Sequence, residues 1–216
     1  MASDVDTFLA VVKGVPMTLL LTGASLGIGI VGGLPFVAAR VSKRPLLRLA
    51  SRSLIEVLRG IPPLVWLFII YFGLGNSLPM IDPLQASIIG MGLISCAYMA
   101  EIYRGGLAAV HHGQWEAARA LGMSTVAIVR KIIAPQVLRI SVPATATYGI
   151  GLFKDSSVAF TLGVTEVLYF ANEQSRSTGD AIKPFLAAAV VYIVMSAVCA
   201  ALARSVDKRL QRRVAR

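Results

Sequence analysis

Charge is scarce in this chain and acid is the scarcest part of it: of 216 residues only 15% are charged, with 11 Asp and Glu against 21 Lys and Arg. Cysteine and histidine number two each. Two cysteines cannot staple a small secreted scaffold, and His111 and His112, adjacent but without a further Cys or His cluster, offer no metal site. The pattern Gly-x-x-x-x-Gly-Lys followed by Ser or Thr is missing, so no loop for nucleotide phosphates is expected. No nucleophile with a nearby base stands out, which argues against an enzyme. Low hydrophobicity, the mark of disorder, is also absent. Instead 56% of the residues are hydrophobic and the mean hydropathy is +0.73, outside the range of ordinary water-soluble domains.

What is present is a series of long apolar runs. Crossing a hydrocarbon core takes about 20 helical residues. Five segments meet that length, at about 15–39, 54–74, 84–103, 141–164 and 185–203. Their lack of strict alternation predicts helices in place of barrel strands, and one all-α membrane domain over 1–216. Cys96 and Cys199 fall inside these runs and read as small unpaired core residues.

The basic residues are placed unevenly. Six lie at 40–59, five at 104–139 and six in the tail from Arg204 to Arg216. Cytoplasmic segments near a membrane accumulate Lys and Arg, which predicts an outside amino terminus and a cytoplasmic carboxyl terminus. Asp4 and Asp6 stand where a signal peptide would be basic, so the first span is expected to remain in the protein.

The segment 104–139 is too long for an idle connection. Gln114 to Leu121 is made largely of helix formers, and Gly122 suits a left-handed cap. A second helix is expected to begin at Ser124 or Thr125, with Val126, Val129 and Ile133 on one face, and to stop at Pro135. Two helices about a glycine suggest a DNA-binding helix-turn-helix, but a pair tethered between spans lacks the third helix and soluble core this requires, and no nucleic-acid partner is expected.

Glu116-Ala117-Ala118, Gly122, Ile132 and Pro135 resemble the EAA loop of ATP-binding cassette importer permeases, in the form found in the polar amino acid permease family. Three other stretches look like the family's local patterns, in its order: Ile55 to Pro62, Ala97 to Gly106, and Phe153 to Ser157. The resemblance implies a type I permease fold in a bacterial plasma membrane. It also implies alternating access driven by two partner ATPase subunits that bind ATP and Mg, a second permease subunit in a homodimer or heterodimer, and an extracytoplasmic solute-binding protein. This chain itself would hold no cofactor and perform no catalysis. The helix of Trp115, Glu116, Ala117, Ala118, Leu121 and Gly122 becomes the coupling helix that fits the ATPase, with Trp115 as an apolar anchor and the alanines allowing close approach. A hairpin with Glu116 and Arg119 as a mere surface pair is the plain alternative.

Lys154 and Asp155 fall within the fourth span, where charge is costly unless paired or hydrated. The resemblance puts Lys154, Asp155, Ser156 and Ser157, with Ser95 and Tyr98, along the substrate pathway. A structural ion pair is the other reading of the two charges, and an ion or proton site in a secondary transporter, driven by an ion gradient, a third. Two departures from the family pattern are visible: Ala134 stands where Leu is usual, and Ile94-Ser95 where Asn-Ser is frequent. Glu56 with Arg59 and Glu101 with Arg104 read as i, i+3 stabilising pairs. Gly23 with Gly27 and Gly29 with Gly33 allow close helix contact.

Overall fold

Prolines and caps divide the chain into helices. A computed structural model describes residues 4–74 and 81–212, all of whose regular elements are helical. Of the basic tail, Arg213 and Arg216 lie outside the described residues. In order come α1 (Asp4–Val12), α2 (Val15–Arg40), α3 (Pro45–Gly60) and α4 (Pro63–Phe68) with a π turn at Ile69–Leu74. Then follow α5 (Pro83–Ala109), α6 (His112–Ala120), α7 (Thr125–Ile128), a π turn at Val129–Ile133 and α8 (Ala134–Asp155). A 3-10 stretch (Ser156–Leu162), α9 (Val167–Thr178) and α10 (Lys183–Arg212) complete the fold.

Three stretches, Asp4–Arg40, Pro83–Ala109 and Lys183–Ser205, are each long and apolar enough to cross a membrane. The second predicted span, in which Pro62 and Pro63 after Gly60 point to a kink or a helix start, is bent there: Pro45–Gly60 and Pro63–Gly73 meet at 101°. The cause is local. Pro62 has no N–H to give the Leu58 carbonyl, and the Trp66 Nε1–H donates to that carbonyl at 3.2 Å in its place. The fourth predicted span divides between α8 and the 3-10 stretch, where the Ser156 hydroxyl, fully buried, donates to the Phe153 carbonyl at 2.7 Å.

The centre of the fold is α2 packed along α5. Small residues make this possible: a Cβ on Gly29 would stand 2.5 Å from the Ser95 Cβ, and one on Gly33 2.7 Å from the Met99 Cβ. Gly23 and Gly27, by contrast, face open space. At the Arg40 end of this pair, Glu101 accepts from Arg104 Nε at 2.8 Å, as its spacing suggests, and also meets Arg40 Nε from α2 at 3.4 Å. Asp82 and Gln85 form a reciprocal capping box that starts α5.

Candidate functional site: a charged aromatic pocket and the loop between α5 and α8

The break between α3 and α4 frees Arg59 to turn toward α5. Its guanidinium lies 4.6 Å from the centre of the Tyr98 ring, a cation–π contact. This corrects the expected pair, because Glu56 is taken by Arg52 one turn earlier, at 2.8 Å. Tyr98 in turn stacks on Tyr148 of α8, with ring centres 4.7 Å apart and planes 19° from parallel. The Tyr148 hydroxyl and the buried Ser95 hydroxyl share a hydrogen bond of 2.9 Å, and Ser95 also donates to the Met91 carbonyl at 2.7 Å. Ser95 therefore holds Tyr148 from behind.

Arg59, Tyr98 and Tyr148 line a cavity of about 40 Å³ together with Ile94, Leu152 and Asp155. That volume holds a few waters at roughly 10–15 Å³ each. Arg59 and Asp155 put opposite charges on its wall, with the face of Tyr98 near the first. Ile94 supplies apolar surface to this wall. Lys154, exposed like Asp155, is not part of the lining; neither are Ser95 and Ser156, both buried, nor Ser157, half-buried. No ion pair between Lys154 and Asp155 forms among the described residues. Of the six residues the resemblance puts along the substrate pathway, Tyr98 and Asp155 line this pocket, and Arg59, which is not among them, joins them there.

The loop between α5 and α8 builds a small core of its own. Ala118, Val110, Ile128, Ile133 and Val137 are buried together, with Trp115 and Met123 packed against them. Ala118 and much of Trp115 thus face inward, while Glu116, Ala117 and Gly122 are exposed and Leu121 and Val126 are 80% and 76% exposed. Glu116 pairs with His112 at 3.1 Å and not with Arg119. His111 caps α6 by accepting from the Gly113 N–H, and Gly122 takes φ +71, the left-handed cap its type suggests. Ser124 caps α7, as expected, through the Ala127 N–H.

Past α7 the expectation needs correction. Helical residues continue from Thr125 through Pro135 to Asp155, because the π turn Val129–Ile133 opens the helix just before the proline. That turn also shifts the apolar face, burying Ile128 and Ile133 and leaving Val126 and Val129 exposed.

Residues 25–213 match the model of the binding-protein-dependent transport system inner membrane component. The chain belongs to this family. It is 39% identical over 197 residues to the probable amino-acid permease protein YxeN of Bacillus subtilis (strain 168), covering 89% of this chain and 87% of that one. With the octopine transport system permease protein OccM of Rhizobium meliloti it shares 35% over 206 residues, or 91% and 84% of the two chains. A crystal structure of an amino acid ABC transporter with histidines superposes with a TM-score of 0.88 at 32% identity, over 97% of this chain and 100% of that one. As a member of this family, the chain is a membrane protein and a permease subunit; the ATPase is a separate subunit, and membership implies that ATPase and a binding protein as partners in general.

One buried acid escaped the sequence reading. Glu166 is fully buried at the start of α9, where one carboxylate oxygen accepts from the Tyr169 N–H at 2.8 Å and the other from the Tyr192 hydroxyl of α10. The Val167 N–H donates to Thr18 Oγ1 of α2 at 3.3 Å, so α2, α9 and α10 meet at this point. Burial pushes the Glu166 carboxyl above the ordinary glutamate range, while its hydrogen bonds pull the other way. These partners account for its burial.

Proposed function

We propose that this chain is the transmembrane subunit of a binding-protein-dependent, ATP-driven importer of an amino acid in a bacterial plasma membrane. One observation carries the solute class: Arg59 and Asp155 present opposite charges across a pocket walled by Tyr98 and Tyr148. A zwitterion fits such a pair, with its carboxylate toward Arg59 and its ammonium toward Asp155. The names of YxeN and of the superposing transporter support the same class. At about 40 Å³ the pocket has to widen before a solute enters, which alternating access provides.

In this reading residues 1–216 form one five-span domain with the amino terminus outside and the carboxyl terminus in the cytoplasm. The bent pair α3–α4 counts as the second span, and α8 with the 3-10 stretch as the fourth. Two such permease domains, alike or different, enclose the pathway within the lipid. Two ATPase subunits, holding ATP and Mg, dock on the exposed side of α6 and α7, where Glu116, Ala117, Leu121, Gly122 and Val126 stand clear of the loop's own core. The binding protein delivers solute from outside. An ion-gradient carrier would have no use for this loop. The test is uptake of labelled amino acids into proteoliposomes holding the permease, its ATPase and its binding protein. Uptake that needs internal ATP is expected, and uptake driven by an ion gradient without ATP would overturn the proposal.

A further inference from the structure

The flanks of α3 differ in kind. Ser51, Ile55 and Leu58 are buried against the body of the fold. On one side of that stripe run Leu46, Leu54 and Val57, which are 81%, 49% and 50% exposed. On the other side, at helical spacing, run Arg48, Arg52, Glu56 and Arg59, all exposed. The depth of this charged flank can be read from its neighbours. Ser51 donates to the Phe36 carbonyl at 3.1 Å, one turn from the inner end of α2, while Arg59 reaches Tyr98 in the body of α5. From Arg52 to Arg59 the helix rises about 10 Å. Charges at such depth face a bundle interior or water, since lipid contact is costly. An apolar flank on the same helix meets lipid or protein without penalty.

The geometry points to a wet lane: Arg48, Arg52 and Glu56 line the solute's route between the Arg59 pocket and the cytoplasm. A departing zwitterion passes its carboxylate from Arg59 toward Arg52 and then Arg48. The Arg52–Glu56 pair, 2.8 Å long with both side chains about 60% exposed, offers a charge of each sign midway and holds neither end of the solute tightly. The inference rests on the importer reading for its direction of travel and extends it to residues with no place in the pocket.

Cysteine accessibility tests it in the assembled importer. In inside-out membrane vesicles, with Cys96→Ala and Cys199→Ala as background, single variants Arg52→Cys, Glu56→Cys, Leu54→Cys and Val57→Cys are treated with a charged, membrane-impermeant methanethiosulfonate. Only a thiol in contact with water forms the reactive thiolate. The expected result is reaction at positions 52 and 56 at least tenfold faster than at 54 and 57, slowing when the ATPase is trapped closed on nucleotide. Equal rates on the two flanks, or faster reaction at 54 and 57, would overturn the lane. Uptake by Arg59→Gln and Asp155→Asn separates the two ideas. Slow labelling beside crippled uptake removes the lane alone, and fast labelling beside normal uptake keeps the lane and removes the pocket.

Discussion

Arg59 and Tyr98 form a cation–π pair at 4.6 Å, although a carboxylate lies three residues from Arg59 on its own helix. The guanidinium is thus held by a ring and keeps its donors available for a ligand. Arg59→Met removes the cation and retains much of the bulk. Since a hydrogen bond to a charged group is worth about 1.5–3 kcal/mol, loss of the proposed bond to the solute carboxylate is expected to raise KM for uptake at least about tenfold with the assembly intact. Proteoliposome uptake kinetics check this, and an unaltered KM would remove Arg59 from the solute's surroundings.

Asp155 and Lys154 are neighbours in sequence with different surroundings. Asp155 lines the pocket and Lys154 does not. Asp155→Asn is therefore expected to raise KM by more than Lys154→Met does, each measured in the same uptake assay. The opposite order would return Lys154 to the pathway and displace Asp155.

Leu121 is 80% exposed beside Gly122, whose backbone is left-handed. A large apolar side chain held out by a rigid turn suits a protein contact. Leu121→Asp is expected to cut ATPase copurification at least tenfold while leaving helix content by circular dichroism unchanged. Gly122→Asp should also uncouple ATP hydrolysis from uptake, with an added backbone strain of about 1–2 kcal/mol. Full ATPase recovery with both variants would place the docking surface elsewhere.

Glu166 gives a stability signature with a definite sign. Its carboxyl is raised by burial, so its stabilising contribution is complete below the ordinary glutamate pKa of about 4.3 and is lost as pH rises through the higher folded value. Thermal unfolding in detergent across acid to neutral pH should show the native midpoint falling relative to Glu166→Gln over that window. Parallel curves for the two proteins would show that this carboxyl does not titrate between the folded and unfolded states.

Much of the architecture was readable from the residues because its causes are local. Apolar length, the left-handed turn at Gly122, the cap at Ser124 and the Glu101–Arg104 spacing each act within one helical turn. What escaped depends on chain crossings or on competition. Glu56 had basic residues on both sides and chose Arg52, a choice spacing alone does not decide. Trp115 and Ala118 suited a partner's groove, yet the loop needed them for its own core. Pro135 reads as a stop unless a π turn precedes it, and such a turn leaves no strong mark in composition. Gly29 and Gly33 differ from Gly23 and Gly27 only in what stands opposite.

The unbroken succession of helical residues from Thr125 to Asp155 has a mechanical meaning. One end belongs to the loop proposed to receive the ATPase; the other carries the carboxylate on the pocket wall. No joint of coil lies between these ends. In the proposed importer such a piece would serve as a crankshaft, in which a twist applied at the loop swings Asp155 at the far end, and the π turn and Pro143 are the places where the shaft can flex.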